Sequence, residues 1–201
     1  LVYGKKSLTS FNKKKNFKFF EGDIRDDKSL SSIFKKNKIS YVVNLASIVG
    51  DKQCNTIPKS AYDINYNGNK ILYRVSEAYS KNIKKFIYAS TCSNYGIVNP
   101  NEYVDESSVL KPVSLYAETK VDCENFLKKK TNKIPTVVLR FATAYGLSHR
   151  TRFDLTINSF TYESIKYKKL DIFSPDTWRP IVQVDDMAEI MLRPSEIKNK
   201  K

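Results

Sequence analysis

Apolar residues along this chain form short uninterrupted runs that alternate with longer segments of helical periodicity. Uninterrupted runs predict strands, and recurrence every three or four positions predicts helices. Strands are predicted at 17–21, 41–46, 86–90, 136–141, 170–173 and 181–184. Helices are predicted at 27–36, after Pro58, after Pro112, at 155–165, and from an N-cap at Asp185 to a stop at Pro194. Apolar strands that alternate with helices indicate an α/β fold with a parallel sheet covered on both faces.

Three side chains, Thr91, Tyr116 and Lys120, have complementary proton chemistry. Tyr116 and Lys120 are four residues apart, so a helix places them on one face. Thr91 closes an apolar run, and at the carboxyl end of a parallel strand its hydroxyl could point at the same spot. A neighbouring ammonium lowers the pKa of a phenol from its usual value of ~10. The trio predicts proton exchange with a sugar or alcohol hydroxyl while a nicotinamide takes the hydride.

The spacing of the glycines gives no indication of a site for the phosphates of a nicotinamide cofactor. The chain has six glycines, and none are spaced as a glycine-rich phosphate loop. The sequence therefore carries the catalytic half of an oxidoreductase without the usual pyrophosphate-binding half.

Composition narrows the function classes. The 201 residues suit one domain with a real core, since 41% are hydrophobic, and no apolar run reaches the ~20 residues of a membrane span. The net charge of +14 leaves a nucleic-acid binder open, but the lysines are scattered and no nucleic-acid motif accompanies them, so solvated charge is the favoured interpretation. Three separated cysteines and one histidine predict no metal site and a reducing, cytoplasmic location.

Six motifs in order resemble the extended short-chain dehydrogenases, the NAD-dependent nucleotide-sugar epimerase/dehydratase family. The ordered set is far more specific than the Tyr-Lys pair alone. The motifs are 41–51 (YVVNLASIVGD), 65–68 (NYNG), 89–96 (ASTCSNYG), 112–120 (PVSLYAETK), 139–146 (LRFATAYG) and 178–186 (WRPIVQVDD).

The resemblance implies roles for individual residues. Tyr116 would be the acid/base, Lys120 would lower its pKa, and Thr91 would hydrogen-bond the substrate oxygen. Residues implied to contact or support NAD are Asp23, Ile24, Leu45, Ala46, Ser47, Asn65, Ser90, Tyr116, Lys120 and Phe141. Residues implied to hold a nucleotide-sugar are Thr91, Thr143 and Arg179. Asp23, Asn65 and Arg179 also have purely structural interpretations, as a turn residue, a helix-internal hydrogen bond and a surface charge.

The departures from the family pattern affect both fold and activity. The resemblance implies a Rossmann-like, doubly wound parallel sheet that lacks the first strand and the glycine-rich loop, with 1–4 matching the segment just after the second strand. Residues 1–146 would form a partial NAD-binding domain and 147–201 a partial substrate-binding lobe. A truncated, inactive family fragment that at most binds a nucleotide or a partner is the alternative.

The residues after Thr91 favour one branch of the family. Dehydratases of the family place an Asp-Glu pair there, whereas this chain has Cys92 and Ser93. The resemblance therefore implies an NAD-dependent epimerase, with a reductase as the second choice, acting on a nucleotide-sugar. It also implies a homodimer formed through the helices after Pro58 and Pro112, and neither a membrane nor a nucleic-acid partner.

Overall fold

A computed structural model describes residues 8, 11, 14–99, 101–130, 133–149, 151–172 and 175–197. The chain divides into two compact units. The larger comprises 22–142 and 189–201, and the smaller is built mainly from 143–188. The predicted segment 1–4 lies outside the described residues.

The sheet of the larger unit has three parallel strands in the order β1-β2-β3. They are β1 (Tyr41–Asn44), β2 (Lys85–Thr91) and β3 (Thr136–Phe141). Every residue of the central strand β2 is buried. The expected α/β fold with a parallel sheet is confirmed.

Helices of the larger unit connect and cover these strands. They are α1 (Asp27–Lys36), α2 (Asp51–Thr56), α3 (Pro58–Tyr62), α4 (Asn69–Ala78) and α5 (Leu115–Lys128), with a π-helical turn at Asp63–Gly68 and a 3-10 turn at Cys92–Tyr95. The predicted long helix after Pro58 is therefore α3 and α4 joined by the π-helical turn. The core between helices and sheet includes Tyr73, Phe86 and Ile134, all fully buried.

Strand β1 is covered on only one of its two faces. Val42 and Asn44 are buried, whereas Tyr41 and Val43 on the opposite face are 37% and 42% exposed. Among the described residues β1 pairs only with β2, so its other edge is open. The expectation of a fully covered sheet is wrong at this strand.

The smaller unit has a two-stranded parallel sheet. It consists of β4 (Thr143–Tyr145) and β5 (Ile181–Gln183), accompanied by α6 (Thr156–Tyr167). The helix α7 (Val184–Glu196) begins here and continues into the larger unit.

Four predictions about local structure need correction. Residues 17–21 and 170–172 are irregular rather than strands, and no described strand pairs with them; Phe173 lies outside the described residues. The side chain of Gln183, rather than Asp185, accepts hydrogen bonds from the first-turn amides of α7. Pro194 lies inside α7, where Lys85 donates to the carbonyls of Pro194 and Ile197 at 2.5 and 3.0 Å and stabilises the last turn.

Candidate functional site

The carboxyl ends of the three parallel strands meet at one edge of the sheet. In the register of β2 and β3, Thr91 lies beside Phe141. Both side chains are buried, at 7% and 8% exposure. This edge is where parallel α/β sheets bind their ligands.

The backbone turns sharply after Thr91. Its hydroxyl accepts a hydrogen bond from the Ser93 amide at 3.2 Å and so caps the 3-10 turn. The same oxygen lies 3.2 Å from the Ser93 hydroxyl. The cap fixes the Thr91 side chain at the end of β2.

Helix α5 carries Tyr116 and Lys120 on one face. The Ser114 side chain accepts from the Ala117 amide and caps the helix just before Tyr116. The Lys120 Nζ atom lies 5.7 Å from the centroid of the Tyr116 ring. It donates to the Ala89 carbonyl at 2.8 Å, two residues before Thr91. The helix thus brings the predicted trio to one end of β2.

The ammonium of Lys120 is almost fully withdrawn from water. Lys120 is 3% exposed, and desolvation lowers its pKa from 10.5 to about 8. Cys123, Cys54 and Glu124 lie near enough to oppose part of this shift. The ring of Tyr88 is 4.9 Å from Nζ and gives the cation an aromatic neighbour. Lys120 is therefore still mostly protonated at pH 7.

Asn65 connects the π-helical turn to the loop after β1. Its side-chain oxygen accepts from the Ile48 amide at 2.7 Å and the Ser47 hydroxyl at 2.9 Å, and its side-chain nitrogen donates to Ile48 O at 3.0 Å. The nitrogen also lies 3.3 Å from the Thr119 hydroxyl on α5. The backbone carbonyl of Asn65 accepts from the Cys123 thiol at 3.1 Å. These bonds join the loop after β1 to α5, the helix of Tyr116 and Lys120. The role of Asn65 is therefore wider than the helix-internal hydrogen bond that was the structural interpretation of this residue.

Leu45 and Ala46 follow β1 and are both exposed, Leu45 at 54%. The Ala46 amide donates to the buried Asn44 side chain at 3.2 Å, which fixes the turn that leaves the strand. Ser90 lies buried beside Thr91, and its hydroxyl donates to Glu124.

Asp23 and Ile24 lie in a turn of the larger unit. The Asp23 carboxylate accepts from the Arg25 amide at 2.9 Å and from the Arg25 guanidinium at 2.7 and 3.0 Å, and these bonds lower its pKa to about 2. Ile24 packs so closely on Gly68 that a Cβ atom there would lie 2.5 Å from its Cγ2 atom. Arg25 also bonds Asp63 at 2.9 Å and ties the turn to the π-helical segment.

Thr143 and Arg179 belong to the smaller unit. Thr143 opens β4, and its amide donates to the Pro180 carbonyl at 3.1 Å, which brings it beside the segment that carries Arg179. Arg179 itself is exposed. These two predicted sugar-binding residues are thus neighbours within their own unit.

An ion pair beside Ser90, between Arg140 and Glu124, was not predicted from the sequence. Glu124 accepts from Arg140 at 2.7 and 3.1 Å, and their side chains are 8% and 17% exposed. Hydrogen bonding to Glu124 raises the pKa of Arg140 above its already high usual value. The spacing of Tyr116, Lys120 and Glu124, four residues each, was the available signal, because it places all three on one helix face.

Two properties of the described residues concern the other function classes. They contain no cluster of His, Cys, Asp and Glu able to hold a metal ion. No helix among them has the length and apolar character needed to cross a membrane.

Comparison with known proteins gives one family and a consistent set of relatives. The sequence model of the "NAD dependent epimerase/dehydratase family" matches residues 2–200. A dTDP-D-glucose 4,6-dehydratase of Dictyostelium discoideum is 30% identical over 206 residues, covering 93% of this chain and 46% of its own. A UDP-glucuronate 4-epimerase of Thermodesulfobacterium geofontis is 30% identical over 184 residues, covering 90% and 55%.

Solved structures agree with the sequence comparisons. The UDP-glucuronic acid 4-epimerase of Bacillus cereus, crystallised with UDP-glucuronic acid and NAD, superposes with a TM-score of 0.82 at 26% identity. The match covers 97% of this chain and 60% of that one. The chain spans about half the length of the curated relatives it matches.

Proposed function

Since the chain belongs to the NAD-dependent epimerase/dehydratase family, we propose that it acts as an NAD-dependent epimerase on a nucleotide-sugar. The observation that carries the proposal is the convergence of Thr91, Tyr116 and Lys120 at the end of β2. A buried, protonated lysine beside a tyrosine, with a fixed threonine hydroxyl on the adjoining strand, suits proton exchange with a sugar hydroxyl.

Each residue of the trio has a defined task in this proposal. Tyr116, as the phenolate, takes the proton of the sugar hydroxyl and later returns it. Thr91 donates a hydrogen bond to the same sugar oxygen. Lys120 stabilises the phenolate through its positive charge, which the low-dielectric surroundings strengthen.

The residues at the strand ends fit the nicotinamide side of NAD. When bound, NAD would accept a hydride from the sugar carbon and return it. Leu45, Ala46 and Ser47 after β1, with Ser90 and Phe141 on β2 and β3, lie at the ligand-binding edge of the sheet. Asp23 and Ile24 would contact the adenine. Asn65 would support the loop that follows β1. The 201 residues contain no glycine-rich loop for the cofactor phosphates.

The substrate side of the proposal rests on the smaller unit. Arg179 is exposed and suited to bind a pyrophosphate through its planar guanidinium, with Thr143 beside its segment. In this assignment 1–146 serves the cofactor except for Thr143, and 147–201 together with Thr143 serves the sugar. The positive net charge of the chain favours an anionic substrate.

Epimerisation is preferred over dehydration because of the turn after Thr91. Eliminating water needs an acid and a base beside the sugar, and Cys92 and Ser93 supply no carboxylate there. Ser93 instead holds the Thr91 hydroxyl.

The test begins with calorimetric titration of the full chain with NAD. The mixture is then supplied with UDP-glucuronic acid or UDP-glucose, and the epimeric product is measured by NMR. We expect saturable binding and epimer formation by wild type, and loss of turnover in Tyr116→Phe with NAD binding retained. Turnover by Tyr116→Phe equal to wild type would contradict the assigned acid/base.

The alternative is that these 201 residues, which contain no glycine-rich loop, are catalytically inactive and at most bind a nucleotide or a partner. A folded chain that binds neither NAD nor a nucleotide-sugar would support it. Cofactor-dependent turnover by the same chain would exclude it.

Two further assignments accompany the proposal. A homodimer through the helices after Pro58 and Pro112 is supported by half-exposed Tyr62 on α3, and light scattering decides it. A cytoplasmic location is supported by Cys54, Cys92 and Cys123, which are thiols and not disulfides, and cell fractionation decides it.

A further inference from the structure

Glu124 connects α5, the helix of Tyr116 and Lys120, to β2, the strand that ends at Thr91. One carboxylate oxygen accepts from the Ser90 hydroxyl and from the Asn94 side chain, the latter at 2.7 Å. Ser90 precedes Thr91 and Asn94 lies in the turn that follows it, so both sides of Thr91 are bonded to Glu124. All three partners are buried, at 7% exposure or less.

Arg140 holds this carboxylate from the neighbouring strand. Its Nε and Nη2 atoms bond Glu124, and its Nη1 atom donates to the Tyr95 hydroxyl at 3.0 Å. The guanidinium also lies 5.0 Å from the Tyr95 ring centroid. Since Arg140 pairs in register with Ser90, the ion pair spans β2, β3 and α5 at one level.

Glu124 is also in line with the reacting side chains. It lies one helical turn from Lys120 and two turns from Tyr116. A shift of Glu124 would therefore move the Tyr116 hydroxyl relative to Thr91, which must both reach one substrate oxygen.

We propose that Glu124, held by Arg140, is a positioning residue that sets the distance between the Thr91 and Tyr116 hydroxyls. The inference rests on the proposed function, because it assigns Glu124 to the same reaction. Misplacement of a reacting group by about 1 Å can lower a rate roughly 100-fold. Binding of the sugar to other residues should change little.

Steady-state kinetics of the full chain with NAD and a UDP-sugar test the proposal in three variants. Glu124→Gln removes the ion pair. Asn94→Ala removes one bond to Glu124 without changing any charge, at a residue that is assigned no contact with NAD or the sugar, and it covers the case in which Glu124→Gln fails to fold. Glu118→Gln makes the same acid-to-amide change at an exposed position of the same helix and serves as the control.

We expect kcat to fall roughly 10- to 100-fold in Glu124→Gln and less in Asn94→Ala. KM should stay within about twofold, and Glu118→Gln should match wild type, because a positioning defect acts on the reacting geometry. Unchanged kcat in both Glu124→Gln and Asn94→Ala would overturn the inference and leave the proposed function standing.

If wild type itself shows no turnover, the proposed function fails and a second measurement decides the inference. Crystal structures of wild type, Glu124→Gln, Asn94→Ala and Glu118→Gln give the distance between the Thr91 and Tyr116 hydroxyl oxygens directly. We expect this distance to change by about 1 Å in Glu124→Gln and by less in Asn94→Ala, relative to Glu118→Gln. Distances equal to that of Glu118→Gln in both variants would overturn the inference.

Discussion

Replacing Lys120 by methionine measures what the buried ammonium costs the fold. Lys120 is 3% exposed, and desolvation lowers its pKa from 10.5 to about 8. In the unfolded chain a lysine titrates near ~10.4. Between these two values the unfolded state binds more protons than the folded state, so the free energy of unfolding rises with pH through this window.

The magnitude follows from the size of the shift. A pKa lowered from 10.5 to about 8 corresponds to roughly 3 kcal/mol of destabilisation at pH 7. Most of this cost disappears by pH 10, where Lys120 is neutral in the fold. We expect the free energy of unfolding of wild type to rise by roughly 2–3 kcal/mol relative to Lys120→Met between pH 7 and pH 10. At pH 7 the gain from removing the charge is offset by the Ala89 carbonyl left without a donor, which costs about 1–3 kcal/mol.

The assay is urea unfolding at pH 7, 8, 9 and 10 at constant ionic strength, followed by circular dichroism. The difference between the proteins reports the titration of Lys120 together with its charge coupling to the groups that titrate nearby. The most important is Cys123, whose pKa burial raises to about 11. Lys129→Met, at an exposed position after the same helix, should show no pH-dependent difference. A difference between wild type and Lys120→Met that stays constant with pH would refute the reasoning.

Two further predictions concern the fold around the site. Gly96 has φ of +75°, and a Cβ atom there would lie 2.0 Å from the Lys111 carbonyl oxygen, so Gly96→Ala should lower the free energy of unfolding by at least about 1–3 kcal/mol in thermal melts. Gly22→Ala, which meets only a side-chain oxygen at 3.3 Å, should change it far less. Lys85→Met removes the ammonium that donates to two carbonyls at the end of α7, so amide hydrogen exchange there should accelerate. Lys81→Met, at an exposed position, should leave the exchange rate unchanged.

Elements with strong periodicity could be predicted from the sequence because local contacts, or complete burial of their side chains, stabilise them. Strands β1, β2 and β3 and helix α1 lie where the apolar pattern predicts them. The runs at 17–21 and 170–173 have equal apolar character, but a strand also needs a neighbour for its backbone groups. Pairing depends on distant parts of the chain, so it cannot be seen in a five-residue window.

The site shows the same division between local and distant information. Tyr116 and Lys120 are related by helical spacing, and the sequence predicted their shared face. Glu124 continues that spacing and was detectable. Arg140 was not, because its contact with Glu124 depends on the register that places it beside Ser90.

The apolar core and most of the buried polar groups occupy different parts of the larger unit. The apolar core packs around Tyr73, Phe86 and Ile134. The buried polar residues that the structure describes are concentrated instead around the carboxyl ends of β1 and β2, where hydrogen bonds connect them: Asn44 with Asn69, Asn65 with Thr119, Ser90 and Asn94 with Glu124, and Lys120 with the Ala89 carbonyl. Burying such groups costs free energy that apolar side chains of the same size would not require. A sequence selected for stability alone would fill this end of the sheet with apolar residues, so the polar network is better explained by the proton chemistry proposed for Thr91, Tyr116 and Lys120.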